Sequence, residues 1–419
     1  MNQCIEKLRP LYHSLVPHDA RAFIRKCLCR APVLKPVEDH SLRVSFVGPW
    51  NYQLGLGVAS KRYLEALLAT DVQLNAFAIT VPFHTHIRTT KIHSMVSFDG
   101  PSDVCLINLH PDMWPSCLTK QYQKIMKDAK VRIGFWFWEA SIIPTEWKEA
   151  FRQVDALWAP SSYCAEIFSK ESDLPVDVIP CVVPLPDLST LESSRIALRK
   201  QLSLPQDARI MLYAFDSMNI LTRKNPDALV RAFKASGLSQ RGWVLVLKTK
   251  NLFEHPKAGN ALMAEVDGFP AIIVMNHSVS DAEMSQLFLG CDIYASPHSA
   301  EGFGLTIAEA MAAQKLVVAT DYSATREFLD EETGYPVKYH LTHVENGTAL
   351  YSEEGIWAKV DEEDLKIKLY QAASDVERGN IERGIKARQR IAERFSEQAV
   401  AECMKKSLSR YGEIVSLSV

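Results

Sequence analysis

From residue 43 onward, short apolar runs alternate with segments whose apolar positions recur at helical spacing. Residues 43–47 read as a strand and 48–57 as a glycine-containing loop. Residues 58–69 read as a helix, with Tyr63, Leu64, Leu67 and Leu68 on its apolar side. Strand patterns follow at 72–79, 104–108 and 131–138, and 178–180 closes this unit. A second series begins at 209–215 and continues at 243–247, 271–275, 293–296 and 316–320. The helical pattern at 227–235 falls between its strands, and the chain from 361 onward is helical. Alternation of this kind predicts an α/β protein of parallel sheets with helices on both faces. Two doubly wound units place a ligand in the cleft between them, at the carboxyl ends of the strands.

The expected boundaries are an N-terminal unit over 41–183 and a C-terminal unit over 205–395. A Pro-, Ser- and Leu-rich linker joins them near 180–205, with one helical piece around 193–202. Residues 1–40 break the pattern. Seven Lys and Arg stand there against Glu6, Asp19, Glu38 and Asp39, with Leu11, Leu15, Phe23, Ile24 and Leu28 at helical intervals. Such a segment is either a helical extension packed on the first unit or a basic face laid on anionic lipid.

Charge and cysteine usage narrow the function classes. The net charge of −3 argues against bulk nucleic-acid binding, so no nucleic-acid partner is expected. Nine cysteines without paired metal-ligand spacing suit a reducing, cytoplasmic compartment. No apolar run reaches the ~18 residues of a membrane span, and the N-terminus lacks the apolar core of a signal peptide.

The candidate chemistry centres on residues 301–309, Glu-Gly-Phe-Gly-Leu-Thr-Ile-Ala-Glu. A strand, a glycine turn and a helix would aim free backbone N–H groups at a phosphate. Glu301 in the loop and Glu309 in the helix offer acceptor groups at two depths of one pocket. Thr306-x-x-Glu309 also has the spacing of a capping box, which would leave Glu309 a purely local role. Upstream, Arg223 and Lys224 lie in the loop after the strand 209–215. A lysine at such a loop–helix junction can reach a diphosphate, whereas Arg223 reads more readily as a surface charge, with assistance to the nucleotide-sugar site as its other reading. Gly55 and Gly57 let backbone approach a ligand. Ser60 stands where a dinucleotide fold wants a third small residue, and no acidic residue ends the second strand, so a dehydrogenase reading fails. His110 and Glu139 each follow a buried strand, where side chains face the cleft. Glu139 is open to two readings, an acceptor contact or a salt-bridged loop residue. The chain has no Asp-x-Asp.

Taken together, the Glu301-x7-Glu309 motif, Arg223-Lys-Asn-Pro226, the Gly55-x-Gly57 loop and His110 resemble the retaining glycosyltransferases of family 4, over roughly residues 43–360. The resemblance implies the GT-B fold: two Rossmann-like domains facing a cleft, with the 396–419 helix crossing back to the first domain. It implies transfer of a hexose from a nucleotide-diphosphate sugar to a hydroxyl of a glycan or lipid-linked acceptor, of the kind made in bacterial surface polysaccharide and lipopolysaccharide assembly. A mannose donor is among those compatible. Glu309 would hold the ribose, and Glu301 with the amides of Gly302, Phe303 and Gly304 the hexose. Lys224 and the helix start at Leu305 and Thr306 would stabilise the diphosphate, and His110 would touch the sugar. No metal or other cofactor is expected. A cytoplasmic enzyme is implied, with 1–40 able to touch the inner face of the membrane. Asn219, Ser299, Ala324 and Thr325 depart from the family pattern. An epimerase on the same fold, or a non-catalytic nucleotide-sugar binding protein, stays open.

Overall fold

The computed structural model describes residues 41–417 apart from 53, 82–93, 219–220, 346 and 349. The expectations for the 1–40 extension and for Asn219 lie outside the described residues.

Two parallel sheets form the protein. The first contains β1 (Arg43–Gly48), β2 (Gln73–Ala78), β3 (Ser94–Met95), β4 (Val104–Ile107), β5 (Val131–Phe135), β6 (Ala156–Ala159) and β7 (Val176–Val178), in the order β3-β2-β1-β4-β5-β6-β7. Only β3 runs antiparallel to its neighbour. The second contains β8 (Arg209–Ala214), β9 (Trp243–Thr249), β10 (Ile272–Asn276), β11 (Ile293–Ser296), β12 (Leu316–Thr320) and β13 (Tyr335–Val337), in the order β10-β9-β8-β11-β12-β13, all parallel. Helices cover both faces, so the central strands are mostly apolar; every residue of β9 is buried, its terminal Lys248 and Thr249 included.

The strand order reverses between β1 and β4 in one sheet and between β8 and β11 in the other. At such a switch point the flanking connections leave in opposite directions and open a crevice at the carboxyl ends. The chain spends those four strand ends on the four segments singled out above. β1 leads to the Gly48–Gly57 loop and β4 to His110. β8 leads to Arg223 and Lys224, and β11 to Glu301.

Two features depart from the expected layout. The stretch read as a linker contains the helix Leu191–Gln201, which packs on the helix Asp281–Gly290 of the second unit. Its Arg199 is buried against Asp292 at 2.7 Å and donates to the carbonyls of Ala208 and Gly290. The C-terminal unit therefore begins before residue 205. A hairpin of β14 (Tyr339–His343) and β15 (Ile356–Val360) was not anticipated. Its alternation is masked by charged and polar residues, and its connection reaches toward the first unit. Finally, the helix Glu397–Leu417 lies on the N-terminal unit. Ser407 receives a hydrogen bond from Trp158 Nε1 at 2.8 Å and donates to Asp177 at 2.5 Å, and Lys405 pairs with Asp71 at 2.8 Å. Among the described residues no helix is long and apolar enough to cross a membrane.

Candidate active site

A cavity of about 1430 Å³ lies between the two sheets. Its C-terminal wall carries the charge. The helix Leu305–Ala312 starts from Gly304, whose φ of +88° is a left-handed conformation suited to glycine. A β-carbon there would also stand 2.8 Å from the Thr325 methyl. This turn places Glu301 before the helix and Glu309 inside it, both facing the cavity.

Glu301 is paired with Lys224 and lies 3.5 Å from Arg223 Nη1. Arg223 in turn reaches Glu139 of the facing unit at 2.9 Å and donates to the Ala300 carbonyl at 2.9 Å. Its side chain is only 7% exposed. Burial works against a charge there, but Glu139 and Glu301 hold the guanidinium protonated. Arg223 is thus a buried bridge across the cleft, and its expectation as a surface charge is corrected. Burial by itself would raise the Glu301 carboxyl. Lys224, Arg223 and His298 outweigh it and bring it down to about 2. Tyr213 donates to the Lys224 carbonyl at 2.6 Å, which fixes the loop.

Glu309 is held differently. Arg62, on the helix Gly55–Leu68 of the first unit, donates to it at 2.6 Å. Burial still raises its carboxyl, because Arg62 offsets only part of that cost. Thr306 does not cap the helix; it lies inside it and accepts a hydrogen bond from Tyr294 at 2.8 Å. The capping-box spacing therefore forms no box.

On the N-terminal wall, His110 sits between β4 and the short 3-10 turn Pro111–Met113. Its ring lies 5.5 Å from Trp147, and its buried Nε2 has no hydrogen-bond partner among the described residues. Burial pushes its pKa down, against the pull of Asp112 and Glu139, so the ring is neutral near pH 7.

Comparison with known proteins joins this geometry to a fold. Residues 212–349 match the family model described as glycosyl transferases group 1. A glycosyltransferase from Rickettsia africae superposes with a TM-score of 0.63 at 17% identity, over 90% of this chain and 99% of that one. HepE of Anabaena, solved with UDP and glucose, superposes with a TM-score of 0.59 at 14% identity, over 88% and 100%. The fold is GT-B. Among curated proteins, D-inositol 3-phosphate glycosyltransferase of Xylanimonas cellulosilytica is 29% identical over 218 residues. That stretch covers 49% of this chain and 51% of that protein, so the chain spans about half the length of this relative.

Within the GT-B cleft, Glu301, Glu309, Lys224, Arg223, His110, Glu139, Gly55, Leu305 and Thr306 all line one cavity. Gly57, Gly302, Phe303 and Gly304 do not line it. Gly57 packs on the Tyr52 carbonyl, where a β-carbon would stand at 2.2 Å. The Gly302 carbonyl accepts from Ser161 at 2.7 Å, tying the motif to the first unit. The Phe303 side chain is core, packed with Phe328 and Phe395. Ser299 and Thr325 have structural partners. The Ser299 amide donates to the Arg223 carbonyl at 2.7 Å, and Thr325 bonds the Thr320 and Tyr322 carbonyls.

Two site residues escaped sequence reading. Arg62 belongs to a polar stripe of Lys61, Arg62 and Glu65 on the first helix. That stripe is visible in the sequence but indistinguishable from a solvated face. Tyr351 comes from the β14–β15 connection; it donates to Glu139 at 2.6 Å and stacks on Trp138 with ring centroids 5.2 Å apart. No local signal marks it, because its partners lie over 200 positions away.

Proposed function

We propose that this chain is a retaining, metal-independent glycosyltransferase. It moves a hexose from a nucleotide-diphosphate sugar to a hydroxyl of a glycan or lipid-linked acceptor. One observation carries the reading: the ends of β8 and β11 bring Lys224, Arg223 and both glutamates opposite His110, after β4, and Glu139, after β5, in one cavity. Cations, acceptor oxygens and a helix start on one side suit a diphosphate and sugar hydroxyls.

In this reading, Glu309 accepts from the ribose hydroxyls after releasing Arg62. Glu301, held ionised by two cations, accepts from the hexose. Lys224 and the Leu305–Ala312 helix start stabilise the diphosphate as charge grows on departure. The backbone amides of Gly302, Phe303 and Gly304 stand in the turn between them. Neutral His110 contacts the sugar without adding charge. Closure of the two units around the donor excludes water and suppresses its hydrolysis.

The test is a thermal-shift screen of nucleoside diphosphates and their sugars, with and without EDTA. The UDP series comes first, because the neighbour HepE is solved with UDP and glucose. A strong shift from one base series that survives EDTA is expected. With the donor in hand, acceptor-dependent release of nucleoside diphosphate separates transfer from epimerisation or simple binding. The anomeric proton coupling of the product then reports retention. No shift from any series would remove the transferase reading.

A further inference from the structure

The two ends of the cavity offer different chemistry. At one end Arg62 meets Glu309, and Lys61 lies 3.9 Å from Asp281 of the facing wall. At the other end the lining is Leu54, Leu56 and Met113 of the first unit, with Leu350 and Tyr351 of the β14–β15 connection. Leu54, Leu56, Met113 and Leu350 are partly exposed and pack on one apolar cluster. Two carboxylates stand among them. Asp112 gives one oxygen to Trp147 Nε1 at 2.9 Å, and Glu139 gives its Oε1 to Tyr351 and Arg223. Among the described residues their other oxygens make no hydrogen bond. The unpartnered Nε2 of His110 lies in the same group. Arg223 adds little positive field here, because its charge is already met by Glu139 and Glu301.

Resting on the transferase reading, we propose that this end takes an acceptor with an uncharged, hydroxyl-bearing ring at its reacting end and an apolar remainder. Ring hydroxyls donate to the free oxygens of Glu139 and Asp112. The apolar part covers Leu54, Leu56, Met113 and Leu350, which are otherwise left wet. An anionic reacting end would meet Asp112, which pairs with no cation among the described residues, in a partly desolvated pocket where like-charge repulsion is strong. Tyr351 is a positioning residue in this scheme: it touches no acceptor atom but holds the Glu139 carboxylate in place.

The test is calorimetric titration of the full chain with octyl glucoside, methyl glucoside and octyl phosphate, below their micelle concentrations. Octyl glucoside should bind at least about tenfold tighter than methyl glucoside, the gain expected from burying about two methylenes. It should also outbind octyl phosphate by about tenfold. Leu56→Asp, or Leu350→Asp if the first variant does not fold, should erase the chain-length gain. Equal binding of the two glucosides would overturn the apolar part, as would a gain that survives both variants. Octyl phosphate binding as tightly as octyl glucoside to protein already saturated with nucleoside diphosphate would overturn the charge part. Nucleoside diphosphate titrated into the same samples keeps the two readings apart. Nucleotide binding with no glucoside preference sinks only this proposal. Glucoside preference with no nucleotide binding sinks the transferase reading.

Discussion

The two walls of the cleft share a topology but are made of different materials. The C-terminal wall carries its charges in contact pairs, Lys224 with Glu301 and Arg223 between two glutamates. Away from the Lys61–Arg62–Glu65 stripe, the N-terminal wall is aromatic and aliphatic, with Trp138 and Trp147 behind His110 and with carboxylates that keep a free oxygen. A buried charge is tolerated only with a partner, so the charged wall is rigid by necessity. The apolar wall is set by packing and leaves polar groups free to meet a ligand. The same contrast runs through the motif itself. Glu301 answers to two cations of its own unit and lies far below the usual carboxylate range. Glu309 answers to one arginine of the other unit, and burial raises its carboxyl from the ordinary value. One carboxylate is locked into its wall, while the other is tied to the opposite wall by a contact that opening would break.

The largest effect should come from breaking the locked pair. Lys224→Ala should lower turnover by about 10²–10³-fold, the scale of losing one preorganised electrostatic contact. Initial rates of nucleoside diphosphate release check it; a variant within threefold of the parent would place Lys224 outside the chemistry. The same pair predicts an acid limb of stability. A carboxyl near 2 when folded and 4.5 when unfolded stabilises the fold fully above pH 4.5 and loses that contribution as pH falls toward 2. Thermal melts of Glu301→Gln across that window should be flatter than those of the parent.

Next in size is the tied carboxylate. Glu309→Ala should weaken donor binding by about tenfold or more, on the scale of lost hydrogen bonds to a charged group. Calorimetry decides between this and a purely structural role, which would lower Tm and leave affinity intact. Arg62→Ala should act through the same group by a smaller amount, and in its pH dependence rather than as a loss at neutral pH, because Glu309 must release Arg62 to bind the donor. Arg62 now lowers the Glu309 pKa against burial, so removing it raises that pKa further. Donor affinity should then begin to fall at higher pH on acidification. Identical pH profiles for parent and variant would show that Arg62 does not govern Glu309.

The smallest effect is expected at Tyr351. Tyr351→Phe removes one hydrogen bond to Glu139 and keeps the stack on Trp138. A fall in Tm of about 2–4 °C is expected, with donor affinity unchanged and the KM for acceptor raised. A change in donor affinity instead would show that the two ends of the cleft are not separate.

The alternation of apolar runs and helical spacing was enough to read both sheets and the cleft between them. The strand patterns at 293–296 and 316–320 coincide with β11 and β12. The end that slipped is one where the buried apolar run outlasts the strand pairing. Residues 131–138 read as one strand, but β5 ends at Phe135 and the aromatics beyond it pack in a loop. Glu301, Glu309, Lys224 and His110 were legible because each follows a strand at a glycine turn or a helix start.

What the sequence determined by itself is therefore local: strands, helices, glycine turns, and the chemistry placed just after each strand. Backbone sterics and hydrophobic periodicity act over a few residues and leave their mark in order along the chain. Which side chains meet was decided by the tertiary structure alone. Arg62 finds Glu309 across 247 positions, and Tyr351 finds Glu139 across 212. A surface arginine and a buried bridge have the same letter in the sequence. Only the burial that packing imposes turns Arg223 from one into the other, and that burial is what makes its partners, and its charge, matter.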